Sequence, residues 1–282
     1  MENTSHFPDT GKQNSKNKIT DLVAAAFLLA IIAIMATTPL GFVRLGVTAL
    51  TVIHIPVIIG SIILGPKYGA FLGFAFGMAS FLNATFAPDA TSFAFSPFYS
   101  VGEFQGNGWS LVIAFVPRIL TGITPYFAFM ALNKIIKMKY AQLISHVLII
   151  VVFAGIVVYK FVQLGNDDST SVLFDFLIYV SILIYITGDS ISKKFKFRNN
   201  ETMPFVASGV IGSLTNTVFV LGFMYLFFGQ DVANLVGTSV DVLYKFIFTI
   251  IAFNGVPEAI LASILTVLIC KAVFKQRKKS IE

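Results

Sequence analysis

The sequence predicts an all-α integral membrane protein with about eight transmembrane helices. Three observations carry that prediction. Of 282 residues, 56% are hydrophobic and 12% charged, too few charges to cover a soluble domain of this length. Mean hydropathy is +0.83, and several apolar runs reach the ~20 residues that span a hydrocarbon core. Lys and Arg gather in short clusters between those runs, where orientation signals belong.

The elements follow in order. Residues 1–19 read as a disordered cytoplasmic tail, because they are polar and low in apolar content. They are not a cleavable signal, since the first apolar run is long enough to stay in the membrane. Spans are expected near 21–38, 47–64, 69–86, 109–133, 141–163, 171–191, 204–229 and 243–274, with a basic cytoplasmic tail at 275–282. The last span is long enough to tilt or break, and Asn254-Gly255-Val256-Pro257 marks the break.

Alternate loops fix the orientation. One side carries Lys12, Lys16, Lys18, Lys67, Lys134, Lys137, Lys139, Lys193, Lys194, Lys196 and Arg198, then Lys271, Lys275, Arg277, Lys278 and Lys279. The other carries Arg44, Lys160 and Lys245, and Arg118 lies inside a span. Sixteen against three makes the first side cytoplasmic and puts both termini there, which requires an even number of spans. The net charge of +6 is therefore an orientation signal rather than a footprint for nucleic acid.

Enzyme chemistry finds no motif. The single cysteine, Cys270, excludes a disulfide framework and a Cys-based metal cluster. His6, His54 and His146 lie too far apart for ligand spacing, so no metal, cofactor or catalytic residue is expected. No Walker A pattern, HExxH or Ser-centred elbow is present, which describes a transporter subunit without its own ATPase site. An ion-coupled secondary transporter is the rival. Those usually carry several embedded acids or a repeat. Here Glu258 is the clearly embedded acid, Asp175 and Asp189 lie near span ends, and no repeat is visible.

Two spacings bear on packing. Gly69, Gly73 and Gly77 recur every four residues on the third span, and Ala26 and Ala30 do so on the first. Such spacing lets helices approach closely, either within the chain or onto another subunit. Internal packing is expected for the glycines. Residues 87–108 form a long outward segment with Phe93, Phe95, Phe98, Tyr99 and Phe104 among Ser, Pro and Gly. It reads as a lid over a site or as a connector resting its aromatics at the interface.

Arg118 is the most informative residue. It follows Pro117 and sits nine residues past Trp109, roughly 14 Å below the outer end of its span. An arginine there costs at least ~2.5–3.5 kcal/mol unless a partner or water satisfies it. Asn216 and Asn254 fall at comparable depth, Asn83 nearer the outer surface, and Glu258 one turn deeper than Asn254. Either Arg118 pairs with Glu258 and fixes helix packing, or these groups form an anion-accepting pocket open to the outside. His54, beside Pro56 on an apolar span, suits a structural role.

At this point the chain resembles the membrane-embedded substrate-binding subunit, or S component, of energy-coupling factor (ECF) vitamin transporters. The resemblance rests on Ala26-x-x-x-Ala30, on His54-Ile-Pro-Val-Ile-Ile-Gly60 continuing to Leu64-Gly-Pro-Lys-Tyr-Gly69, and on Thr91-Ser-Phe-Ala-Phe-Ser-Pro97 followed by Pro117-Arg118. It rests further on Gly212-Ser-Leu-Thr-Asn-Thr217 and Asn254-Gly-Val-Pro-Glu258. It implies a six-helix substrate-binding core over 20–134 and 203–274, with 140–192 as an extra transmembrane hairpin. It also implies capture of a vitamin from outside, release driven by the transmembrane subunit EcfT and two EcfA-type ATPases, and docking through Ala26 and Ala30. The pattern is most similar to the pantothenate-type branch, which would put Asn83, Arg118 and Asn216 at ligand positions. Asn254 joins them by depth. Other vitamins such as riboflavin or folate remain open on these residues.

Overall fold

A computed structural model describes residues 15–45, 48–136 and 202–279. The chain divides into two compact units, Met1–Ala128 with Phe205–Glu282, and Phe129–Pro204. The description here is of the first unit. The spans expected at 141–163 and 171–191, the hairpin they form, Asp175 and Asp189 all lie outside the described residues.

Helix α1 (Ser15–Thr37) is followed by an antiparallel hairpin, β1 (Phe42–Leu45) and β2 (Thr48–Thr51), in register Phe42↔Thr51 to Leu45↔Thr48. Then come α2 (His54–Leu64), α3 (Pro66–Phe86), α4 (Gly108–Ile136), α5 (Met203–Leu235), α6 (Val240–Ile250) and α7 (Val256–Lys279). Among the described residues, five helical stretches are long and apolar enough to cross a membrane. They begin at Lys18, Pro66, Gly108, Met203 and Val240, the last running through α6 and α7. Large apolar side chains such as Phe27, Phe127, Leu226 and Leu268 stay exposed on their outer faces, as lipid-facing helices require.

The expected span at 47–64 is corrected. Its first residues pair as β2, and the helix that follows has only 11 residues, about 16 Å of rise against a ~30 Å hydrocarbon core. Thr48–Thr51 is rich in β-branched residues, and a short apolar run of that kind is ambiguous between strand and helix. Nine residues of α2, His54 to Ile62, are buried by α1, α3 and α7. Gly65, at φ 93°, turns the chain directly from α2 into α3.

The glycine spacing on α3 is internal packing, as expected. A methyl on Gly69 would meet Gly122 O at 1.9 Å, one on Gly73 would meet Arg118 O at 2.3 Å, and one on Gly77 would meet Ala114 O at 2.9 Å. Helices α3 and α4 therefore touch backbone to backbone along three turns, and Arg118 lies within that seam. The break expected at 254–257 is also present: a π-helical turn, Ile251–Gly255, separates α6 from α7. Pro257 explains it, because its ring cannot sit against the carbonyl four residues back in a regular α-helix.

Helix α5 kinks at Phe228, whose φ/ψ of −131°/20° is non-helical. Beyond the kink, Val232 and Ala233 join Phe93, Ile113, Leu221, Met224, Phe228 and Leu243 in a buried apolar cluster. A second cluster, Ile32, Ile53, Val57, Leu72 and Phe76, holds α1, α2 and α3 together.

Candidate functional site

The β1–β2 hairpin, segment 87–107 and the last turns of α5 all line one cavity, through Phe42 and Thr51, Asp89 and Phe95, and Val232 and Val236, so they gather at one end of the unit. Lys67, Lys271 and Lys275 belong to the opposite end. The cavity, of about 130 Å³, lies toward the first end. Its polar wall comes from Ser80 and Asn83 on α3, Arg118 on α4, Asn216 and Thr217 on α5, and Asn254 and Glu258 around the π-turn. Val220, Leu221, Met224, Phe246 and Ile247 supply an apolar wall. The sequence-derived set Asn83, Arg118, Asn216 and Asn254 is thus brought together in one cavity, whereas the fully buried His54 is not in its lining.

Arg118 is 4% exposed, and its local sequence explains how it is held. Pro117 has no N–H, so the carbonyl four residues back, Ile113 O, receives no helical hydrogen bond from it. Arg118 Nη1 donates to that carbonyl at 2.6 Å, and Nη2 donates to Ser80 Oγ across the seam at 3.2 Å. The guanidinium also lies 5.4 Å from the Phe76 ring centroid and 5.1 Å from that of Phe95, within cation–π range. Its Nε–H has no hydrogen-bond partner among the described residues. Asn216, also 4% exposed, has its Oδ1 buried without one. A donor and an acceptor with unmet capacity thus belong to residues of the same cavity wall.

Arg118 and Glu258 attract each other electrostatically, but their hydrogen bonds go to other partners. Glu258 Oε1 accepts from the Thr51 backbone N–H at 2.5 Å, and Oε2 accepts from Thr217 Oγ1 at 3.1 Å. The two charges face one cavity with separate hydrogen-bond sets.

Segment 87–107 is a fitted cap rather than a loose connector. It carries a short 3₁₀ turn, Ser92–Ala94, and a two-residue hairpin pairing Ser100–Val101 with Phe104–Gln105. Asp89 Oδ1 accepts from Thr91 N, Thr91 Oγ1 and Ser92 Oγ, which shapes the turn. Ser96 Oγ bonds Thr85 Oγ1 on α3 at 2.7 Å, and Ser110 Oγ on α4 donates to Phe93 O at 2.7 Å. The buried Phe93 ring packs edge-on against Phe228 at 5.6 Å, while Phe98 remains exposed. Asp89, Thr91, Ser92 and Phe95 line the cavity from this cap.

Sequence reasoning missed Ser80, Thr51, Thr217 and the apolar wall. Ser80 had a signal, since it lies three residues before Asn83 and shares its helix face. Thr217 adjoins Asn216. Thr51 had none, because its contribution is a backbone N–H placed by the hairpin.

Residues 160–270 match the family model described as ECF transporter, substrate-specific component. The pantothenic acid transporter PanT of Lactococcus lactis subsp. cremoris is 31% identical over 268 residues, covering 94% of this chain and 99% of that protein. A pantothenate transporter PanT of Leuconostoc mesenteroides subsp. mesenteroides is 32% identical over 130 residues, 44% of this chain and 56% of that protein. A helical membrane bundle with a polar cavity near one end, in this sequence company, belongs to the substrate-specific components of ECF transporters. Within that family the chain is of the PanT type.

Proposed function

We propose that this chain is the high-affinity pantothenate-binding subunit of an ATP-driven vitamin importer. It takes its ligand from outside the cell and releases it inside with EcfT and two EcfA-type ATPases. The observation that carries this reading is Arg118, a buried guanidinium in the cavity wall with an Nε–H still to be satisfied. Pantothenate has a carboxylate at one end, and guanidinium–carboxylate contacts give both affinity and orientation. Asn83, Asn216 and Asn254 then meet the amide and other polar groups.

Three features support the rest. The end bearing the cavity lies opposite the lysine-rich end, which the charge distribution makes cytoplasmic. Both termini are then cytoplasmic. Ala26 and Ala30 are exposed on α1, a flat strip suited to close approach by a helix of EcfT. Residues 140–192 are poor in polar groups that could serve a ligand, and their deletion with a short linker should leave affinity nearly intact.

The test is a titration of the purified chain with pantothenate, riboflavin, folate and thiamine, with uptake measured in cells with and without EcfT and the ATPases. Pantothenate alone should bind, and uptake should require all partners. Binding of another vitamin in its place overturns the ligand. Ion-driven uptake by the chain alone in liposomes overturns the class.

A further inference from the structure

Glu258 is the one charged wall residue to which the reading above gives no role. It is 4% exposed, in the first turn of α7, directly after the π-turn. A buried carboxylate at membrane depth is costly, so it calls for an explanation. Charge balance with Arg118 contributes to the explanation, since the two groups attract each other, but no hydrogen bond joins them and Arg118 keeps an N–H unmet. Anchoring the hairpin is only part of one, since a neutral amide oxygen would accept the Thr51 N–H as well.

A carboxylate has about four acceptor positions. Glu258 uses two, one on each oxygen, for Thr51 N–H and Thr217 Oγ1. It lines the cavity with acceptor capacity to spare. Asp89 is the other acid in the lining, on the cap, where three of its acceptor positions serve its own turn against two used by Glu258. The cavity therefore offers a cationic donor on α4 and an anionic acceptor on α7.

We propose that Glu258 is a specificity-determining residue that accepts hydrogen bonds from the hydroxyl end of the ligand, while Arg118 holds its carboxylate. The site then selects a monoanion carrying O–H or N–H donors remote from its charge. The inference rests on the proposed function and deepens it. Pantothenate fits, with two hydroxyls on the part of the molecule far from its carboxylate.

The test is calorimetric titration of the purified full chain, wild type and Glu258→Gln, with pantothenate and with its dideoxy analogue, in which both hydroxyls are replaced by hydrogen. Wild type should prefer pantothenate by about 10- to 100-fold, the range for a hydrogen bond to a charged group. Glu258→Gln should lose roughly that factor for pantothenate and stay within about threefold of wild type for the analogue. If the substitution weakens both ligands equally, Glu258 only anchors the hairpin and the proposal fails. It fails too if wild type does not distinguish the ligands, or if Glu258→Gln binds pantothenate unchanged. If wild type binds no pantothenate, the function itself is wrong and the inference falls with it. Should Glu258→Gln not fold, Glu258→Asp draws the carboxylate back by one methylene and is judged by the same ratio.

Discussion

Substituting Gly73 tests how the fold positions Arg118. A methyl there would lie 2.3 Å from Arg118 O and 2.9 Å from Ile119 Cα, both backbone atoms that cannot rotate away. Restoring normal contact requires α3 and α4 to part by roughly 1 Å. Overpacking of that kind costs about 1–3 kcal/mol, which at about 2–4 °C per kcal/mol for a large chain is a melting-temperature drop of roughly 2–12 °C. The separation falls at the seam that the Arg118 Nη2–Ser80 Oγ bond crosses, already 3.2 Å long, so that bond breaks. Binding geometries hold to about 0.5 Å, and pantothenate affinity should fall about 10-fold. Gly222→Ala is the control, because a methyl there meets nothing within 4 Å. It should change neither melting nor binding, or stabilise by up to ~1 kcal/mol. Thermal melting and calorimetry of both variants decide the matter. A Gly73→Ala protein that melts and binds like wild type would refute the claim that this seam sets the position of Arg118.

Pro117→Ala supplies an N–H that competes with Arg118 Nη1 for Ile113 O. Melting should hold or rise while pantothenate affinity falls about fivefold, a net hydrogen bond of ~1 kcal/mol. Ser96→Ala removes the 2.7 Å bond to Thr85 that pins the cap, and should speed ligand dissociation about fivefold in stopped-flow measurements. Ala26→Trp and Ala30→Trp should reduce uptake in cells expressing EcfT and the ATPases while the purified chain binds normally, because the bulk blocks only helix approach.

Much of this architecture was legible because membranes constrain sequences strongly. The break before Pro257 and the α3 glycines follow from local rules of backbone geometry and close approach, and both are present. The shared depth of Arg118, Asn216 and Asn254 was readable from 1.5 Å per residue along a helix, and all three line one cavity. What could not be read depends on irregular backbone. The hairpin at 42–51 looks like the start of an apolar span, because Val, Thr and Leu serve a strand and a buried helix equally well. The Thr51 N–H that meets Glu258 carries no side-chain signature at all. The apolar wall from Val232 and Val236 depends on the kink at Phe228, and the adjoining Gly229 reads equally well as a small packing residue inside a span.

The central claim is that Arg118 holds a carboxylate, and a comparison of ligand charge tests it most directly. Wild type and Arg118→Ala are each titrated with pantothenate and with panthenol, its alcohol analogue. Wild type should favour pantothenate by about 100-fold, and Arg118→Ala should bind both weakly and alike. A folded Arg118→Ala protein that still prefers pantothenate by the wild-type factor would show that the carboxylate is recognised elsewhere.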